Sequence, residues 1–423
     1  MSSPRPGVWR ATLVGATAVL LPALVVGLAS AQLAPPPPTP VPPDGSLSPF
    51  PSVLHTPADA VQPPDIGAAS AILVDLATGQ VLFSRDPDAR RPIASLTKIM
   101  TALLVLERSH LTDIVTVRPD AVISSDARAG VASLGLQVGE RISVEDLLYA
   151  LLLQSANDAA VALADHVAGS QARFVRMMNA RARALGMTHT RYRSASGLDD
   201  RGYSSARDLA TLTRAAMSTP GFDTIASTEF RTIPGPDGPR HVQNRNVLLW
   251  LYPGTTGAKT GYTARAGNCV VGTAERDGRR LVTVVLGEPG EPFSDAAALL
   301  DHGFEGFTRH TFVTEGEPHG VVTLPGGSVP VESAGDVVAL VPTTSISQVD
   351  ERVVVDPQAA YPPAPGEPVA RLKITIPGLT VGTVPLVVSA VPPPPPIGDE
   401  PWWGRALGAV ADAIRAAVTA IRG

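Results

Sequence analysis

Apolar positions along this chain follow three rhythms. Short β-branched runs at 71–75 and 80–84 flank Leu76-Ala77-Thr78-Gly79 and predict a hairpin. Similar runs at 268–274 and 281–286 flank Arg276-Asp277-Gly278-Arg279 and predict a second. Between these pairs the spacing turns helical. It predicts helices over 95–107, 144–153, 159–168, 171–185 and 208–217, with a closing helix over 294–306. Residues 112–142 read as short turns and β-like pieces, and 219–257 as loop-rich. Helices in the middle and antiparallel strands at both ends predict an α+β fold, with one sheet built from the two ends of the domain.

From Thr311 the texture changes. Short β-branched runs at 321–323, 337–341, 353–355, 372–376 and 384–388, separated by Gly and Pro, predict a small all-β C-terminal domain. It holds no catalytic cluster, so a spacer or docking role is expected. The third rhythm closes the chain. A helical wheel over 401–423 puts Trp403, Leu407, Val410, Ile414, Val418 and Ile421 on one side, and Arg405, Asp412, Arg415, Thr419 and Arg422 on the other. A spanning helix does not suit that charge. The expectation is an amphipathic membrane-associating helix lying in the cytoplasmic membrane surface, with Trp402 and Trp403 at headgroup level. Packing on the protein's own core or on a partner is the alternative.

The resulting plan has six parts. Residues 1–31 read as a signal peptide: Arg5 and Arg10, an apolar stretch at 11–28, then Ala29-Ser30-Ala31. An uncleaved anchor is the alternative. A Pro-rich linker covers 32–64, the α+β domain 65–310, the all-β domain 311–391, a second Pro-rich linker 392–400, and the amphipathic helix 401–423. The chain is thus expected to be exported, at the outer face of the cytoplasmic membrane or in the cell wall.

Composition removes several functions. A net charge of −5 argues against nucleic acid as a partner. The lone Cys269 excludes an internal disulfide framework and a multi-cysteine metal site. No HExxH occurs and the eight His are scattered, so no metal and no cofactor are expected.

The candidate chemistry begins at Ser95-Leu96-Thr97-Lys98. On a helix, Ser95 and Lys98 share one face. A serine hydroxyl needs a base in reach, and a lysine whose pKa is lowered by burial or a neighbouring cation can serve. Taken alone the motif reads as an N-cap followed by a surface lysine. However, lysine occurs only at 98, 259 and 373, so about 0.2 chance SxxK matches are expected. Ser155-Ala156-Asn157 follows at a helix junction, and Lys259-Thr260-Gly261 precedes a strand. The three motifs stand in that order, 60 and then 104 residues apart, and take up two of the three lysines.

This trio resembles that of the serine D-alanyl-D-alanine carboxypeptidases, the low-molecular-mass penicillin-binding proteins. The resemblance spans roughly 64–390 and includes Ser155-Ala156-Asn157-Asp158-Ala159-Ala160, Ser196-Gly197-Leu198, 203–209 and Lys259-Thr260-Gly261-Tyr262-Thr263. It implies a penicillin-binding/β-lactamase-like transpeptidase domain, an antiparallel sheet with a helical cluster, plus the β domain and the tail. It further implies a serine-type carboxypeptidase that removes the terminal D-alanine from peptidoglycan pentapeptide stems and is acylated by β-lactam antibiotics. In that scheme Ser95 is the nucleophile and Lys98 its base. Ser155 relays a proton, and Asn157 binds the acyl-side amide and orients Lys98. Lys259 and Thr260 hold the terminal carboxylate, and the N–H groups of Ser95 and Tyr262 form an oxyanion hole beside Gly261.

Two alternatives share the motifs: a DD-endopeptidase on peptide crosslinks and a class A-like β-lactamase. The latter needs a glutamate some tens of residues past SxN, and no Glu occurs between Glu145 and Glu229. Other polar residues take plainer roles. Cys269 reads as core packing, His166 and His189 as helix-surface residues, and Asp199, Asp200 and Asp208 as turn and cap residues. Arg231, Arg240 and Arg245 read as solvated loop arginines, with an anionic stem peptide as the alternative partner.

Overall fold

The computed structural model describes residues 62–123, 131–377 and 379–389. The expected signal peptide, nearly all of the first linker, the second linker and the amphipathic helix lie outside the described residues.

Strands β1 (Ser70–Asp75) and β2 (Val81–Arg85) form the first hairpin. A 3₁₀ turn (Ala94–Leu96) leads into α1 (Thr97–Arg108); β3 (Ile114–Thr116) pairs with β4 (Arg141–Ser143), which runs into α2 (Val144–Leu152). Then come α3 (Asn157–Ala168), α4 (Gln171–Ala184) and α5 (Ala206–Met217). Serine hydroxyls open three of these helices: Ser143, Ser170 and Ser205 accept the N–H of Asp146, Arg173 and Asp208. The stretch expected as loop at 219–257 contains α6 (Phe222–Ala226), a hairpin of β5 (Phe230–Ile233) with β6 (Arg240–Gln243), and α7 (Leu248–Leu251). These pieces are too short to leave a periodic signature in sequence.

The sheet closes with β7 (Thr255–Thr263), β8 (Gly267–Arg276) and β9 (Arg279–Glu288), followed by α8 (Pro292–Gly306). Asp277 and Gly278 both take positive φ, 52° and 70°, as a tight β8–β9 hairpin turn requires. Strand order is β2-β1-β9-β8-β7, so the two ends of the domain meet where β1 pairs with β9. Alternate residues of the inner strands serve two cores. Ile72, Val74, Val271, Val282 and Val284 pack with α1, α2, α3 and α5. Ala71, Leu73, Val270, Leu281 and Val285 pack with Leu299, Leu300 and Phe304 of α8. A sheet covered on both faces explains why its strands read as unbroken apolar runs.

Strand β10 (Phe307–Val313) runs across the expected 310/311 boundary and pairs with β13 (Val337–Pro342). The remaining strands, β11 (Pro318–Leu324), β12 (Gly327–Ser333), β14 (Asp350–Val355), β15 (Pro368–Ile376) and β16 (Leu379–Val388), form a sheet ordered β11-β12-β16-β15-β14. It has its own apolar core, including Val329, Val341, Leu372, Ile374 and Leu386. The β module is fastened to the larger sheet by buried Gln80. Its amide donates to Leu340 O (2.6 Å) and accepts from Leu340 N (3.1 Å), as an extra strand residue would.

Candidate active site

Ser95 lies in the 3₁₀ turn, two residues ahead of α1 rather than inside it. Ala94 before it has φ 46°, a left-handed conformation that costs a non-glycine residue about 1–3 kcal/mol. Packing holds it there. The carbonyl of Ala94 sits over the Cα of Gly197, where an added Cβ would lie 1.9 Å from Ala94 O. Gly197 itself has φ 83°, so glycine is required on both counts. The segment 195–197 then runs along α1: Ala195 O accepts from Thr101 Oγ1 (2.7 Å) and Ser196 O from Lys98 Nζ (2.7 Å). In the sequence, Ser196-Gly197-Leu198 stands out only as part of the resemblance. A main-chain carbonyl carries no side-chain signal that could have singled out Ser196.

Lys98 is fully buried, and its Nζ has three neighbours: Ser95 Oγ at 2.8 Å, Asn157 Oδ1 at 2.8 Å and Ser196 O at 2.7 Å. The last two can only accept. A neutral amine has two N–H groups for them and one lone pair left for the Ser95 hydroxyl proton. Burial lowers the Lys98 pKa well below the usual lysine range, and the charges of Lys259 and Arg245 lower it further, against a smaller opposing pull from Asp158. The geometry accommodates the neutral amine, and burial is what favours it, the protonation state a general base needs.

The second motif stands at the α2–α3 junction. Ser155 also takes a left-handed conformation (φ 63°) and is buried, and its Oγ makes no hydrogen bond to another described residue. The Nδ2 of Asn157 donates to Ala132 O (2.9 Å), while its Oδ1 faces Lys98. Both amide atoms thus have a protein partner, and one N–H of Nδ2 is left for a ligand. Next to it, fully buried Asp158 accepts from Ser133 Oγ and from the N–H groups of Leu134, Gly135, Leu136 and Ala159. This single carboxylate pins the loop 133–136 beside the site. The run of short polar residues after α2 signalled a helix junction, but not that tether.

The third motif is inside a strand, not ahead of one. Lys259, Thr260, Gly261 and Tyr262 belong to β7, the edge strand paired only with β8. Its outer edge therefore has unpaired N–H and C=O groups. That edge passes against the nucleophile turn: a Cβ on Gly261 would lie 3.0 Å from Ser95 N and 3.1 Å from Ile93 O. Tyr262 is 66% exposed. Lys259 is buried, and its Nζ donates to Thr260 O (3.0 Å) rather than to Ser155. Burial and the charge of Arg245 lower its pKa to about 7. The far end of β7 is secured where Thr263 Oγ1 donates to Asp200 Oδ1 (2.8 Å).

Several residues depart from their plain reading. Arg245 is exposed, yet its charge acts on both Lys98 and Lys259. Its backbone N–H donates to Leu153 O (3.1 Å), two residues before Ser155. Arg240 is not solvated: it pairs with Glu140 (2.6 Å) and donates to Gly135 O. Arg231 stacks 4.4 Å over Tyr149 and faces Glu145 and Asp146. His166 lies on α3, 3.8 Å from Asp113, whereas His189 lies in the loop after α4. Asp199 binds Arg201, and Asp208 sits in the first turn of α5, accepting from His189 N and Thr190 Oγ1. Cys269 is buried in β8, and burial pushes its thiol up to about 11, as a packing residue would show.

Comparison with known proteins points the same way. A family model for D-alanyl-D-alanine carboxypeptidase, peptidase S11, matches residues 57–290. The chain is 35% identical over 353 residues to D-alanyl-D-alanine carboxypeptidase DacC of Escherichia coli (strain K12), covering 78% of this chain and 85% of that protein. It is 40% identical over 256 residues to DacB2 of Mycobacterium tuberculosis, covering 59% and 86% respectively. The crystal structure of penicillin binding protein 6B from Escherichia coli superposes with a TM-score of 0.65 at 32% identity, covering 79% of this chain and 99% of the other.

Proposed function

This chain belongs to the D-alanyl-D-alanine carboxypeptidase family, and from that premise we propose how its residues perform the reaction. The protein is a serine-type D-Ala-D-Ala carboxypeptidase that removes the terminal D-alanine from peptidoglycan pentapeptide stems and is acylated by β-lactams. The observation that carries the site assignment is the environment of Lys98. Two fixed acceptors use both N–H groups of a neutral amine and leave its lone pair for Ser95.

Ser95 Oγ attacks the carbonyl carbon of the penultimate D-alanine, and its proton passes to Lys98 Nζ. The negative charge on the carbonyl oxygen is met by the N–H groups of Ser95 and Tyr262, a pairing supported by the close approach of Gly261 to Ser95 N. Collapse breaks the peptide C–N bond, the departing D-alanine amine takes a proton through Ser155, and an ester on Ser95 remains. Water then releases the shortened stem and restores the serine. Lys259 and Thr260 hold the terminal carboxylate. A bound carboxylate favours the charged form of Lys259, whose pKa otherwise stands near 7. Asn157 orients Lys98 and offers its remaining N–H to the acyl-side amide.

The domain plan supports this reading: residues 65–310 house the chemistry and 311–391 form the β module. The sequence at 1–31 supports export, and the amphipathic pattern at 401–423 supports attachment to the outer face of the cytoplasmic membrane, next to the wall. Ser95→Ala tests the nucleophile. We expect D-alanine release from a pentapeptide stem to fall by at least about 10⁴-fold and covalent labelling by fluorescent penicillin to vanish. Release that persists in the variant would refute the assignment.

A further inference from the structure

We propose that the outward face of strands β14 and β15 is a second membrane contact, one that recognises anionic lipid headgroups. Residues 311–391 contain eight acidic and three basic residues. All three basic residues lie on one patch. Arg352 stands directly opposite Lys373, and Arg371, two residues before Lys373, stands opposite Val354. On the other flank Lys373 faces Thr383 and Arg371 faces Pro385. The intervening Leu372 and Ile374 are buried in the module's core, so the cations occupy the solvent side.

None of the three cations forms an ion pair or side-chain hydrogen bond with a described residue. Asp350 and Asp356 flank the row along β14 without pairing to it. Like charges placed directly across a ladder weaken a sheet. An acidic module that gathers its few cations opposite one another therefore presents a surface suited to a polyanion. Val354 and Pro385 on either side of Arg371 make that surface partly apolar, as a headgroup interface requires. β16 ends at Val388 in the same sheet, and the eleven residues 390–400 can reach at most about 40 Å before the amphipathic stretch begins. The face and the tail can thus meet one lipid surface together. The choice of lipid over another polyanion rests on the membrane reading of 401–423.

Co-sedimentation of the full chain with vesicles tests this, using phosphatidylcholine alone and phosphatidylcholine mixed with phosphatidylglycerol. The variant combines Arg352→Gln, Arg371→Gln and Lys373→Gln, all at exposed positions. At low salt we expect it to lose about 10²-fold in affinity for the mixed vesicles, roughly 5-fold per cation, and nothing on phosphatidylcholine. Equal binding of wild type and variant to the mixed vesicles would overturn the proposal. So would a difference that appears only with soluble polyphosphate. A chain ending at Glu400 separates the two readings. If it binds phosphatidylcholine as well as the full chain does, the tail reading fails. A charge-dependent preference for mixed vesicles in that same chain still supports the face.

Discussion

Lys98 Nζ donates to Asn157 Oδ1 across 2.8 Å, joining the first helix of the site to the third. The bond fixes the amine and assigns one of its protons, which leaves the lone pair to Ser95. On the proposed mechanism Asn157 positions the base. Asn157→Asp would place a carboxylate at that distance and favour the ammonium form. We expect the acid limb of penicillin acylation to move up by about 1–3 pH units, with acylation recovered at higher pH. Asn157→Ala removes the positioning without the charge and should slow acylation about 10²-fold at every pH. Rapid-mixing acylation rates across pH distinguish the two effects.

The proposed roles of Lys98 and Lys259 predict opposite limbs of the same pH profile. With Lys98 as the proposed base, we expect acylation to rise with pH as Lys98 loses its proton, at a pKa well below the usual lysine value. With Lys259 as the proposed carboxylate anchor, we expect it to fall as Lys259, whose pKa is lowered to about 7 in the free enzyme, loses its charge. Arg245 depresses both lysines. Removing its charge makes protonation easier at each, so Arg245→Gln should shift both limbs of kcat/KM to higher pH. An alkaline limb that stays in place would show that Lys259 does not set it.

Gly197 and Gly261 both touch the nucleophile turn, with different expected costs. A Cβ at 197 would collide with the carbonyl of Ala94, and the backbone there is left-handed. Gly197→Ala should lower Tm by about 5–10 °C. A Cβ at 261 would only press 3.0 Å from Ser95 N, which a small retreat of the edge strand relieves. Gly261→Ala should leave Tm within about 3 °C and cost about 10²-fold in acylation, because that retreat opens the oxyanion site. Calorimetry and penicillin labelling on both variants check the contrast.

Part of this arrangement was legible along the chain. The runs at 71–75, 268–274 and 281–286 announced strands, and the apolar spacing after Thr97 announced α1, because burial on a sheet or a helix leaves a period in the sequence. The short β5–β6 hairpin left none. The placement of Lys259 to Tyr262 within β7 was equally hidden, since Gly257, Ala258, Lys259 and Gly261 interrupt the strand signal of its Thr and Tyr residues. Arg240 and Arg245 look alike in sequence. One is locked to Glu140 and the other works on two buried lysines, a distinction made only by what the fold sets beside each.

By itself, the sequence determined which residues are available for chemistry: a serine and a lysine three apart, an SxN, a KTG, and almost no other lysines. Residue type and order are covalent facts, and rarity gives them weight. Tertiary structure alone decided that these residues come together and that Lys98 is a buried amine of lowered pKa rather than a surface cation. That decision needed the carbonyl of Ser196, the amide of Asn157 and the exclusion of water. Each comes from a segment distant in the chain, and a side chain's pKa is set by what surrounds it in space.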